Sequence, residues 1–123
     1  MERHVETEIA TMWLKNGILF FIWKEHAHID LPGAKTVVAS RIRLQQGKPS
    51  PILCSLKGLK HVEKDAWRYL ASEGTELVEV LALVATTPLE RAFSKFIMSK
   101  MPTVPVSIFA DLHEAEQFLL HDG

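Results

Sequence analysis

The chain has 123 residues, 47% of them hydrophobic and 24% charged, with 14 Lys and Arg against 15 Asp and Glu and a formal charge of −1. This is ordinary globular usage at the length of one domain, so a single core over residues 1–123 is expected, with no global electrostatic pull toward nucleic acid or an anionic membrane. The single cysteine, Cys54, excludes an intrachain disulfide and a cysteine-rich metal site, and it fits a reducing, cytoplasmic setting.

The polar start Met1-Glu2-Arg3-His4-Val5-Glu6 has no apolar stretch of the kind a signal peptide needs. Two apolar runs, Ile9 to Leu14 and Ile18 to Trp23, flank Asn16-Gly17. That dipeptide suits a type I′ turn and predicts an antiparallel hairpin. The second run stops at Lys24-Glu25, far short of the ~20 residues of a membrane span. His26 and His28 follow and, on a strand, would share a face. Asp30 as cap and Pro32 in the first turn then open a helix to about Gln46, with Ala34, Val37, Val38 and Ile42 at helical spacing and Gly47 as its left-handed stop.

Ile52 to Leu56 reads as a short buried strand closed by Gly58, and Lys64 to Glu73 as a helix with Ala66, Trp67, Leu70 and Ala71 on one face, ended by Gly74. Leu77 to Ala85 is almost continuously apolar and predicts a central strand. Thr87-Pro88-Leu89-Glu90 has a capping-box pattern for a third helix that Met101-Pro102 ends. Val106 to Phe109 gives the last strand, and Asp111 caps a fourth helix. The order β-β-α-β-α-β-α-β-α predicts an α/β fold. Its sheet is mixed and mostly parallel, with an N-terminal antiparallel hairpin and helices packed on it.

No catalytic or metal centre is expected. His26 and His28 would need a further ligand that no spaced His, Cys or Asp motif supplies, so a polar strand end is the simpler reading. Ser55, His61 and Asp65 contain the letters of a triad, but a triad is a geometry and no nucleophile elbow is present. Cys54 reads as a small core hydrophobe. Thr86 and Thr87, between a central strand and a helix N-terminus, are candidates for an anion or ligand site; the alternative is a plain helix cap.

Lys57, Lys60, His61 and Lys64 crowd one segment and, with Trp67, form a candidate partner-binding surface; a solvated lysine loop is the alternative. No aromatic interleaving supports stacking on nucleic acid. Phe20 and Phe21 must face opposite sides of their strand. Phe93, Phe96, Ile97, Met98 and Met101 exceed what one helix face needs. Phe93, Phe96, Ile97 and Met101 are therefore candidates to line an apolar pocket.

Three segments carry a family resemblance: the hairpin around Lys15-Asn16-Gly17, Ile52 to Leu59, and Val106 to Ala115. Together they resemble the STAS-like domains, the anti-sigma-factor-antagonist-like proteins of bacteria. The resemblance implies a cytoplasmic, non-catalytic regulatory module without cofactor, binding a protein partner or itself as a homodimer. Regulatory members switch partners by phosphorylation of a serine at the start of the second helix. Here that place holds Glu63-Lys64 or Lys64-Asp65, and Ser55 stands where the family has an aspartate. The alternative function is binding of a small apolar ligand or lipid.

Overall fold

The computed structural model describes residues 3–121. Residues 1 and 2 of the polar start and residues 122 and 123 of the expected domain lie outside the described part. The elements are β1 (His4–Glu6), β2 (Ala10–Lys15), β3 (Ile18–Trp23), β4 (Ala27–Ile29), α1 (Leu31–Gln45), β5 (Ser50–Ser55), β6 (Leu59–Val62), α2 (Lys64–Ala71), β7 (Val78–Val84), α3 (Pro88–Lys100), β8 (Val106–Phe109) and α4 (Leu112–His121). A six-stranded sheet runs β1-β2-β3-β5-β7-β8, and β4 and β6 form a separate two-stranded sheet. β2 pairs antiparallel with β1 and β3, while β3-β5, β5-β7 and β7-β8 are parallel.

The expected mixed sheet and four helices are therefore present, and three short strands are added. The local signals act as the residue chemistry dictates. Asn16 and Gly17 both take positive φ, 54° and 78°, as a type I′ turn requires. Asp30 Oδ1 accepts from Gly33 N at 2.8 Å, and Asp111 Oδ1 accepts from Glu114 N at 2.8 Å, each satisfying an otherwise orphaned donor. Two helix ends come earlier than expected. The left-handed stop of α1 begins at Gln46 rather than Gly47. α2 ends at Ala71 because the Ser72 hydroxyl donates to the Arg68 carbonyl at 2.7 Å, and a 3-10 turn over Glu73–Thr75 then takes the chain away.

The sheet has two unequal coats. Met12, Leu19, Phe21, Ile52, Leu81 and Leu83 face one layer with Val37 of α1, Ala66 of α2 and Ile97 of α3. Ile18, Phe20, Leu53, Ala82 and Val84 face the other layer with Ala115 and Leu119 of α4. Phe20 and Phe21 thus enter opposite layers, as strand alternation demands. No helix among the described residues is long and apolar enough to cross a membrane.

Candidate functional site

The segment after β5 determines what the candidate basic cluster becomes. Gly58, at φ +96°, turns the chain against the backbone of Lys24 and Glu25. β6 then pairs in parallel with β4, so His61 lies opposite His28. Their rings stand 4.8 Å apart, and His28 Nε2 is 2.9 Å from Glu63 Oε2. His26 sits outside β4 in a positive-φ turn. It therefore does not share a strand face with His28, which corrects that expectation. Among the described residues no group of three His, Cys, Asp or Glu side chains is placed to hold a metal. No hydrogen bond joins Ser55, His61 and Asp65; Ser55 instead accepts from Lys57 N at 3.4 Å.

Lys57 to Lys64 is thus half strand, which corrects its reading as loop and helix start. The consequence is a division of the cluster. His61, Lys64 and Trp67 line one groove, joined there by Arg68, Phe96 and Lys100. Lys57 and Lys60 do not line it. Trp67 is half-buried, with its ring centroid 6.1 Å from Phe93 and 5.0 Å from Phe96. Phe96 is 40% exposed and Leu89 65% exposed, so α3 shows solvent the apolar surplus noted in its sequence. Lys100 Nζ stands 5.3 Å over the Phe96 ring, a cation–π approach that holds positive charge at the rim.

Behind Trp67 lies a second space. A cavity of about 100 Å³ is bounded by Trp23, Cys54, Leu83, Ile97, Met101 and Trp67, with Arg41, Gly74 and Thr75 also in its lining. The structure therefore splits the expected apolar pocket. Ile97 and Met101 face inward, whereas Phe93 and Phe96 line grooves outside it. Phe93, Ile97 and Met101 are four residues apart and share the core-facing stripe of α3, but Phe93 lies a turn earlier against Trp67, and Phe96 is rotated about 100° out of that stripe.

Arg41 was not among the residues expected to matter. It is 4% exposed. It donates to Gln45 Oε1 and, at 3.1 Å, to the Gly74 carbonyl. Gln45 in turn donates to the Lys48 and Leu77 carbonyls at 3.1 and 2.9 Å. The signal was present in the spacing: Arg41 lies four residues after Val37 and three after Val38, on the buried stripe of α1.

Thr86 and Thr87 form a cap. Thr87 Oγ1 accepts from Glu90 N at 3.1 Å, and Glu90 Oε1 accepts from Thr86 N at 2.9 Å and from its hydroxyl at 3.2 Å. The two donors of Thr86 are thus engaged by the chain's own Glu90 carboxylate, and the Glu90 N–H by the Thr87 hydroxyl.

Burial pushes the Cys54 thiol up from 9.0 to about 12, opposed only in part by its hydrogen bond with Trp23. Burial likewise lowers the Arg41 guanidinium from 12.5 to about 10, opposed by the negative charge of Glu76. Above pH 9 the unfolded thiol loses a proton that the folded one keeps, so stability falls as pH rises from 9 toward 12. Arg41 has the opposite sign: from about pH 10 upward the unfolded state binds more protons, and stability is regained. Between pH 9 and 10 wild type is expected to lose about 1 kcal/mol relative to Cys54→Ala, since the Arg41 contribution is common to both. Urea unfolding at these two values measures it, and equal slopes for the two proteins would refute it.

Residues 12–121 match the model of a family described as a domain of unknown function, DUF7793, and the chain belongs to that family. No curated protein matches it. Among solved structures the chain is similar to an uncharacterized protein of the DUF3478 family with a SpoIIAA-like fold, from Shewanella loihica PV-4. The TM-score is 0.67 at 14% identity, over 89% of this chain and 91% of that one. The chain has that fold, the one its STAS-like segments imply.

Proposed function

We propose that this member of the DUF7793 family is a non-catalytic regulatory interaction module of the bacterial cytoplasm. Its docking surface is the groove between α2 and α3. The observation that carries the reading is one surface combining exposed rings with one sign of charge. Trp67 and Phe96 supply apolar area, and Lys64, Arg68 and Lys100 surround it, with His61 beside them. Buried aromatics ringed by charge are what hot spots are made of, and a basic rim favours an acidic, apolar segment of a partner protein. The reading also agrees with the SpoIIAA-like fold. At the start of α2, Lys64 or, one residue on, Asp65 stands where regulatory relatives carry a phosphorylatable serine. Docking here works without that switch.

The test compares wild type with the triple variant Lys64→Glu, Trp67→Ala, Arg68→Glu. All three sites are exposed or half-buried, so the variant is expected to fold. Affinity capture from the source cells should retain a protein on wild type and lose it at least ~tenfold on the variant. Self-association through the same groove would appear as a dimer in sedimentation that the variant lacks. Equal retention by both proteins, or a monomeric wild type that retains nothing, sinks the proposal.

A second reading, binding of a small apolar molecule, is favoured by the cavity of about 100 Å³ behind Trp67.

A further inference from the structure

We infer that this cavity is a site for a small apolar carboxylate, with its hydrocarbon body among Trp23, Cys54, Leu83, Ile97 and Met101 and its carboxylate on Arg41. The inference rests on the second reading above and adds the head group, the size and the anchoring residue.

The space itself is the first observation. It is a half-open pocket rather than a sealed void. Its volume of about 100 Å³ approaches the ~150 Å³ apolar cavity that accepts benzene. Its walls are almost wholly hydrocarbon, and water needs two or more polar partners to stay in such a space. The volume suits a body of about four or five carbons and is too small for a long acyl chain.

Arg41 is the second observation, and it is independent of the first. A guanidinium this buried is ordinarily paired with a carboxylate. The ion pairs among the described residues are Lys15–Glu116, Lys24–Glu6 and His28–Glu63, and Arg41 is in none of them; the charge of Glu76 acts on it only from beyond ion-pair contact. Its two hydrogen-bond partners, Gln45 Oε1 and the Gly74 carbonyl, are neutral. Guanidinium has five N–H donors, so capacity is left over. Each Nη atom carries one of these two bonds, which leaves a second N–H on each and the Nε–H. Arg41, Gly74 and Thr75 all line the cavity. A carboxylate at that end would complete the charge pairing, in the planar two-point geometry that guanidinium favours.

Isothermal titration with 3-methylbutanoate, its alcohol 3-methylbutan-1-ol, and dodecanoate tests this on wild type, Arg41→Gln and Cys54→Leu. The acid is expected to bind wild type saturably, and the alcohol at least ~tenfold more weakly, the worth of one charge-assisted hydrogen bond. Arg41→Gln should weaken the acid by a similar factor and leave the alcohol unchanged. Cys54→Leu, which fills the pocket, should abolish both. Should Arg41→Gln fail to fold by circular dichroism, the acid–alcohol ratio on wild type still decides. No saturable acid binding up to ~10 mM overturns the site altogether. Equal affinities for acid and alcohol overturn the carboxylate assignment and leave an apolar site. Dodecanoate binding more tightly than 3-methylbutanoate overturns the size in favour of a lipid. Undiminished binding to Cys54→Leu moves the ligand out of the cavity.

Discussion

Gly58→Ala is expected to lower stability by about 3 kcal/mol and Tm by roughly 10 °C. Two causes add. At φ +96° any side chain is strained, and the new Cβ would lie 2.8 Å from the Lys24 carbonyl oxygen and 3.0 Å from Glu25 Cα and N. Those neighbours are backbone atoms and have no rotamer through which to yield. The Gly58 carbonyl also accepts from Ala27 N at 3.1 Å, so any displacement pulls β6 off β4. Gly47 separates the two causes: its φ is +78°, but nothing lies within 4 Å of its would-be Cβ. Gly47→Ala should therefore cost only about 1 kcal/mol. Urea unfolding of both variants measures the difference, and equal losses would refute the role of the close approach. Because β6 delivers His61 and leads into α2, Gly58→Ala should also weaken partner capture, whereas Gly47→Ala should not.

The same loop shows where the sequence could be read and where it could not. Asn16-Gly17, Asp30 with Pro32, and Thr87 with Pro88 and Glu90 each carry their own geometry, so the hairpin and the helix starts were legible. Val78 to Val84 was legible from its apolar run, because a strand covered on both faces needs one. β4 and β6 were not: Ala-His-Ile and Leu-Lys-His-Val are too short for a period to show, and each exists only through pairing with the other, some thirty residues away. That pairing also decided the candidate site. The sequence grouped Lys57, Lys60, His61 and Lys64 by proximity along the chain, yet alternation along β6 turns Lys60 away from the face of His61, Lys57 lies before the strand, and only Lys64, at the start of α2, joins His61 at the groove. Phe93, Phe96, Ile97 and Met101 were grouped by apolarity, whereas rotation along α3 turns Phe96 to the surface and position along it sets Phe93 against Trp67, outside the cavity that Ile97 and Met101 line. Arg41 and Gln45 were polar letters on an apolar stripe. Such a conflict between pattern and residue is where functional sites tend to lie.

Leu53→Ala is expected to cost about 4 kcal/mol. Leu53 is wholly buried in the central strand β5, in register with Phe20 on β3 and Ala82 on β7. Above this layer lies α4, the one helix in that core cluster among the described residues, with Ala115 and Leu119 as its fully buried contacts. The neighbours that would have to close the hole are strands fixed by their hydrogen bonds, so relaxation is limited and the cost lies toward the upper end for a leucine. The loss should also be uneven. Amide exchange in Leu112–His121 should accelerate before that in Leu31–Gln45, because α1 packs on the opposite layer and keeps its own core. A loss below about 1.5 kcal/mol, or equal acceleration in the two helices, would refute the two-coat account. Where Leu53→Ala remains folded, affinity for a partner and for 3-methylbutanoate should match wild type. The groove and the cavity belong to the α1–α2–α3 side of the sheet, and a hole beneath α4 removes none of their contacts.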